Sequence, residues 1–259
     1  LGVVGLMNVQ YAIAKDKVYV IEVNPRASRT VPFIAKAAGV QLAKMATRVM
    51  MGESLQELGL TNDLSVDQFY VKAPVFPFIK FPGSDPKLSP EMRSTGEVMG
   101  ISKDLGQAYY KAQLSAGVSF PESGKVFVTV NKRDHEIAVP VAKELIELGF
   151  KIAATSGTAR VLGEHGVEAE VVRKASEGRP DCIDAIKNDE FQLIINTPLG
   201  ASSHRDGMKI RSAAVSHGIP CVTTMAGARA TVSAIANQQS RSEREPEVYC
   251  LQDVHATKS

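Results

Sequence analysis

The sequence predicts an α/β protein in two parts: an irregular α+β part, then a doubly wound parallel sheet with helices on both faces. Three observations predict this. From Lys125 onward, short β-branched runs alternate with helical patterns, the arrangement that right-handed crossovers turn into a parallel sheet. Upstream that alternation is missing, and the chain opens instead on two strand-like runs joined by a polar turn. Between the two textures lies AGVSFPESG (Ala116–Gly124), a Gly-, Pro- and Ser-rich linker that places the domain boundary at 120/121.

Taken in order, LMNVQYAIA (Leu6–Ala14) and KVYVIEV (Lys17–Val23) read as strands about a turn at Lys15–Lys17. Helical patterns follow at Thr30–Ala38 and Gln41–Met51, with Met45, Met50 and Met51 as core filling. Asp67–Ile79 is β-rich but interrupted by proline. FPGSDPKLSPEMRSTGEVMG is punctuated as a loop, and Lys103–Ser115 is a helix. Beyond the linker, strands are expected at Lys125–Val130, Lys151–Thr155, Ala169–Arg173, Gln192–Asn196 and Pro220–Thr223. Helices are expected between them, at Ile137–Leu148 (ended by Gly149), Ala159–His165, Cys182–Asn188, Asp206–His217 and Ala228–Asn237. The tail from Gln238, rich in polar residues, reads as loop.

Composition narrows the function classes. With 259 residues, 44% of them hydrophobic, the chain can bury a sizeable core. A net charge of +2 with no basic stripe argues against a nucleic-acid partner. No apolar run approaches the roughly 18 residues of a membrane span. The N-terminus has neither the charged region nor the cleavage site of a signal peptide, so the chain reads as entered in mid-domain. The odd, scattered cysteines Cys182, Cys221 and Cys250 suit a reducing cytosol and have no metal-ligand spacing.

Two constellations carry chemistry. Glu22 and Asn24 alternate on an extended segment, so they project from one face about 7 Å apart. Gln10, across the hairpin, can reach the same face. A carboxylate with two amides offers the hard oxygen donors that Mg²⁺ takes, and Arg26 and Arg29 carry the planar donor fork that suits phosphate. Metal ligands beside arginines are the layout of phosphoryl transfer; a solvated strand end is the alternative.

The wider strings EVNPRASRTVPF, KAAGVQLAKMATRVMMG and FPFIKFPGSDPKLSPEMRSTGEVMG resemble the large-subunit family of carbamoyl-phosphate synthetases almost continuously. The resemblance implies that residues 1–120 form the end of the second ATP-grasp domain, which phosphorylates carbamate to carbamoyl phosphate. It implies ATP with Mg²⁺ or Mn²⁺, Gln10, Glu22 and Asn24 as metal ligands, and Arg29, with Arg26 nearby, stabilising the transferring phosphoryl group. It further implies a cytoplasmic ligase of pyrimidine and arginine biosynthesis, partnered by the remainder of the large subunit and a glutaminase small subunit. The adenine-binding segment and phosphate-covering loop of that family lie upstream of residue 1, so the chain alone is expected to be inactive.

The second constellation begins with ATSGT (Ala154–Thr158), which follows a strand and opens a helix, a ready anion site. Lys174 follows the next strand, and INT (Ile195–Thr197) ends a third. In a doubly wound sheet these ends converge on one crevice, although each Thr or Ser alone reads equally as an ordinary helix cap. The pattern is similar to the domain shared by methylglyoxal synthases and the synthetase regulatory region, and that likeness assigns residues 121–259. The catalytic aspartates of methylglyoxal synthases are replaced here by EGRP and INTP, which removes the carboxylate base. The likeness therefore implies an allosteric pocket for a nucleoside monophosphate, UMP or IMP, with Thr155, Thr158 and Lys174 at the phosphate, Asn196 and Thr197 near ribose and base, and Thr129 as a further contact.

Three positions depart from that pattern. His135 stands where some members have lysine, and because histidine is only partly charged near neutrality, nucleotide affinity is expected to fall between about pH 6 and 8. Pro198 replaces a threonine. Ala73 replaces the glutamate that holds ornithine in members activated by it, although Thr223 matches the same site. Rival readings are another ATP-grasp enzyme such as a biotin carboxylase, a methylglyoxal synthase, and a stand-alone nucleotide-binding regulatory module. Glu91, Arg93, Ser94 and Glu97 read as a loop-bracing salt-bridge network or an inter-domain contact.

Overall fold

The computed structural model describes residues 1–64, 66–76, 96–197, 199, 201–240 and 247–256, with side chains at 201–204 excepted. It divides into two compact units, Leu1–Asp67 with Glu247–Ser259, and Gln68–Pro246. The expected boundary at 120/121 falls inside the second unit. Compactness and ancestry divide a chain on different grounds, so that boundary remains a proposal.

In the first unit, β1 (Asn8–Ala14) and β2 (Lys17–Asn24) form an antiparallel hairpin. Its turn residues Lys15 and Asp16 both have positive φ, the backbone that matches the natural twist of a two-residue hairpin. The register shifts after Gln10, a bulge that leaves Gln10 opposite Glu22. Helices α1 (Val31–Ala38) and α2 (Leu42–Met50) follow. Gly39 ends α1 at φ 75°, its N–H donating to the Ala35 carbonyl.

This unit buries little. Ala37 and Val254 are its only buried hydrophobic residues among those described. Tyr11, Ile13, Val18, Tyr19, Val20 and Ile21 leave apolar surface open on both faces of the hairpin. Met50 and Met51, expected in a core, are 62% and 80% exposed, because too few elements surround α2 to cover them.

The second unit opens with β3 (Phe69–Val75) and β4 (Gly96–Ser102), antiparallel partners covered by α3 (Leu105–Ser115). Strand β4 occupies a stretch whose start was expected to be loop. Gly100 explains the tight cover, since a Cβ there would lie 2.0 Å from the Ala108 carbonyl oxygen of α3. The α3 N-cap is Asp104, which accepts from the Gln107 N–H at 2.8 Å. Ala73, buried on β3, faces Val98 in the register, and Lys72 pairs with Glu97 at 2.5 Å. Glu91, Arg93 and Ser94 lie outside the described residues.

The remaining elements alternate: β5 (Gly124–Val130), α4 (His135–Glu147), β6 (Phe150–Ala154), α5 (Ser156–Glu164), β7 (Glu170–Val171), α6 (Cys182–Lys187), β8 (Leu193–Thr197), α7 (Ala201–Ser216), β9 (Cys221–Val222) and α8 (Met225–Gln239). The strands form a five-stranded parallel sheet in the order β7-β6-β5-β8-β9. This is the α/β class the alternation predicted.

Residue alternation builds both faces of the sheet. Val126, Val128, Ile152, Leu193 and Ile195 enter one core with Ala142 and Leu145 of α4 and Val232 and Ile235 of α8. Phe127, Ala153 and Ile194 enter the other with Ile186 of α6 and Ile210 and Ala214 of α7. Phe127 stacks on Phe191 with ring centroids 4.9 Å apart. The interior strands are buried on both faces, which is why their sequences read as continuous apolar runs.

The tail was expected to be loop, yet α9 (Leu251–Ala256) forms within it and belongs to the first unit. His255 Nε2 lies 2.6 Å from the Lys36 carbonyl oxygen near the end of α1. No helix among the described residues is long and apolar enough to cross a membrane.

Candidate functional site

The strand order reverses at β5. The chain steps from β5 to β6 and β7 on one side, then returns to β8 and β9 on the other. At such a switch point neighbouring crossovers diverge and open a crevice beyond the carboxyl ends of the strands. Every residue of the second constellation lies along that edge. Following the sheet, Lys174 comes after β7, Thr155 and Thr158 flank the β6–α5 turn, Thr129 ends β5, Asn196 and Thr197 end β8, and Thr223 follows β9. The register sets Thr129 opposite Asn196 and Val130 opposite Thr197. His135 is the first residue of α4, the helix that follows β5. Pro198 lies outside the described residues.

Hydrogen bonds tie this edge together. Thr155 Oγ1 donates to Thr129 Oγ1 at 3.3 Å, and the Val130 N–H donates to Thr158 Oγ1 at 3.4 Å. Thr155, Thr158, Asn196 and Thr197 are all buried. Thr155 occupies the N-cap position of α5 but makes no side-chain cap bond, because its hydroxyl is turned sideways to β5. The ordinary capping role therefore does not account for this threonine. The N–H groups of the first turn of α5, which a helix leaves without internal partners, have no cap from Thr155. Thr158, having accepted a bond from Val130, keeps its hydroxyl proton to donate.

Two residues that the sequence did not single out complete the edge. Asn131 donates its backbone N–H to Thr197 Oγ1 at 3.3 Å. Its Nδ2 group reaches the Thr197 carbonyl at 3.0 Å and Asp134 Oδ2 at 2.6 Å. It thus fastens β5 to β8 across the switch point. Asp134 spends its carboxylate on Asn131 and likewise leaves α4 without a side-chain cap. The only sequence signal for this pair was the Asn-x-x-Asp spacing after a strand, which occurs in many turns.

Lys174 is exposed in the loop after β7. Its N–H donates to Glu177 Oε2 at 2.9 Å, and its Nζ lies 3.8 Å from Glu177 Oε1. An incoming anion would compete with that carboxylate for the ammonium group.

The first constellation is assembled by the hairpin. Gln10 and Glu22 are directly opposed, and opposed residues of an antiparallel pair share a face. Asn24 Nδ2 donates to Glu22 Oε1 at 2.9 Å, which brings the carboxylate and amide together. One carboxylate and two amide oxygens fit a hard divalent cation. Arg26 and Arg29 are exposed just beyond β2, where the Arg26 N–H donates to the Asn24 carbonyl at 2.8 Å.

Comparisons with known proteins agree with both parts. Residues 1–58 match the family described as "Carbamoyl-phosphate synthase L chain, ATP binding domain", and residues 137–223 match "MGS-like domain". A protein of Synechocystis sp. named "Carbamoyl phosphate synthase large chain" is 55% identical over 98% of this chain and 23% of its own length. Proteins with the same name are 52% identical in Archaeoglobus fulgidus, over 93% of this chain and 22% of their length, and 50% identical in Pseudomonas putida, over 99% and 23%. The chain thus spans about a quarter of the length of these relatives.

Proposed function

The chain belongs to the carbamoyl phosphate synthase large-chain family, and on that premise we propose that it supplies half of a phosphoryl-transfer site and a complete allosteric nucleotide pocket. The proposed domains are 1–120, the end of the second ATP-grasp domain, and 121–259, the methylglyoxal-synthase-like regulatory domain.

In the first, Gln10, Glu22 and Asn24 would hold Mg²⁺ or Mn²⁺, which when bound draws charge from the terminal phosphates of ATP. Arg29, with Arg26 beside it, places its planar donors where charge spreads over the phosphoryl group passing from ATP to carbamate. The product is carbamoyl phosphate, the precursor for pyrimidine and arginine biosynthesis. The open apolar faces of the hairpin support a role for the remainder of the large subunit in completing this site. A glutaminase small subunit would deliver ammonia to the assembled enzyme, in the cytoplasm.

In the second, a nucleoside monophosphate, UMP or IMP, would set its phosphate on the first turn of α5, between Thr155, Thr158 and Lys174, with His135 and Thr129 nearby. Its ribose and base would lie toward Asn196 and Thr197. The buried Ala73 offers no carboxylate for ornithine, so Thr223 alone would not make this an ornithine site. One observation carries the nucleotide reading above the rest: the uncapped N-terminus of α5, flanked by buried hydroxyls, at the switch point of a parallel sheet.

Calorimetric titration of UMP and then IMP into the purified chain tests this reading. Saturable binding that Lys174→Ala weakens by about tenfold or more is expected, on the scale of one charge-assisted hydrogen bond. Heats that do not saturate for either nucleotide would remove the pocket. A second reading, a regulatory module without catalysis, is favoured for the isolated chain by the sparsely buried first unit.

A further inference from the structure

The loop between β7 and α6 is closed at its neck and pinned along its length. The Cys182 N–H donates to the Arg173 carbonyl at 2.9 Å, and Arg173 Nη1 donates to the Arg179 carbonyl at 3.2 Å. Ser176 Oγ donates to Asp206 Oδ2 of α7 at 2.7 Å. Inside the loop, Lys174 to Glu177 form a turn closed by the Glu177 N–H, which donates to the Lys174 carbonyl at 3.0 Å.

That turn folds Glu177 back onto Lys174. One carboxylate oxygen, Oε2, accepts the Lys174 backbone N–H at 2.9 Å, and the other, Oε1, lies 3.8 Å from the Lys174 ammonium nitrogen. A single internal carboxylate thus faces both donors of Lys174. Carboxylate and phosphate oxygens present the same kind of anionic acceptor to an ammonium group. Both side chains stay open to solvent, so the pair can part when another anion arrives.

We propose that Glu177 makes an autoinhibitory contact: its carboxylate holds Lys174 until a nucleotide phosphate displaces it. The proposal rests on the nucleotide reading above. It adds a residue that binds no ligand and instead sets the concentration at which the ligand acts. Because the neck and Ser176 hold the turn in place, the competing carboxylate stays beside Lys174 whenever the phosphate leaves. An exposed ion pair of this kind corresponds to about a threefold change in affinity.

Calorimetric titration of UMP into the full chain tests this with four variants. Glu177→Gln removes the charge and keeps an acceptor for the Lys174 N–H, so UMP should bind about threefold more tightly. Glu170→Gln removes the same charge from β7, where it pairs with Lys125 Nζ at 2.7 Å, and should leave the affinity unchanged. In the Lys174→Ala background the gain from Glu177→Gln should vanish, because the contact it relieves is already gone.

No gain from Glu177→Gln overturns the proposal while the nucleotide pocket stands. So does an equal gain from Glu170→Gln, or a gain that persists without Lys174, since either would reflect the general field of the protein and not this contact. If Lys174→Ala binds UMP too weakly to titrate, the comparison of Glu177→Gln with Glu170→Gln decides. Absence of binding by UMP and IMP in the unaltered chain and in Glu177→Gln alike overturns the pocket and this proposal together.

Discussion

At the scale of single residues, the edge of the sheet shows how a side chain can be visible in sequence while its task is not. Thr155 and Thr158 were legible because a strand, a Thr-Ser-Gly-Thr turn and a helix follow one another locally. Whether Thr155 capped its helix was settled only by Thr129 on the neighbouring strand, 26 residues away. Buried Arg211 of α7, which donates to Asn196, gave no local signal at all, since that partner belongs to a different element. The cysteines divide by environment. Burial pushes the Cys182 thiol up to about 12, and Cys221 likewise to about 12, so neither forms much thiolate at pH 8. Mass spectrometry after brief native alkylation should find the label on exposed Cys250 and little on the other two. Asp184 carries a different prediction. Its bond from Arg179, then the bond from the Asp181 N–H, holds its carboxyl below the usual range. A lowered folded value means stability that is present above the ordinary carboxylate range and lost as pH falls through the lowered one. Amide-exchange protection in α6, taken relative to the intrinsic rate at each pH, should therefore fall below about pH 4, and Asp184→Asn should flatten that response.

At the scale of elements, apolar periodicity located most strands and helices of the sheet, because its interior strands feed a buried layer on both sides. It failed where an element depends on a distant neighbour. Strand β4 follows a run punctuated by Pro and Gly and is recognisable only beside β3 and beneath α3. Gly100, the last residue of the run read as loop, is instead a point of close approach between β4 and α3. Gly100→Ala should therefore destabilise the chain by about 1–3 kcal/mol, the usual cost of overpacking, measured as a lower urea midpoint with unchanged slope. Asp104→Ala should cost about 1 kcal/mol, since it removes both the α3 cap and the acceptor for Asn237 Nδ2 at 3.0 Å. A midpoint unmoved by Asp104→Ala would mean that water replaces the cap.

At the scale of the whole molecule, the two units differ in what they can do alone. The second encloses two apolar cores around a sheet, whereas the first leaves its hairpin and α2 largely open. The sequence of the hairpin could not show this, since strands with apolar residues on both faces read as buried whether or not a cover is present. ATP hydrolysis by the purified chain should stay at background, and turnover should appear only when the rest of the large chain is supplied. Hydrolysis by the chain alone that is abolished by Glu22→Ala would contradict the half-site reading. The helix α9 has a practical consequence of a different kind. Because His255 meets the Lys36 carbonyl, the first unit is assembled from two segments far apart in the sequence. A piece cut after Asp67 would hold the hairpin, α1 and α2 without the helix that meets the end of α1. Anyone excising the first unit should therefore carry α9 along with it.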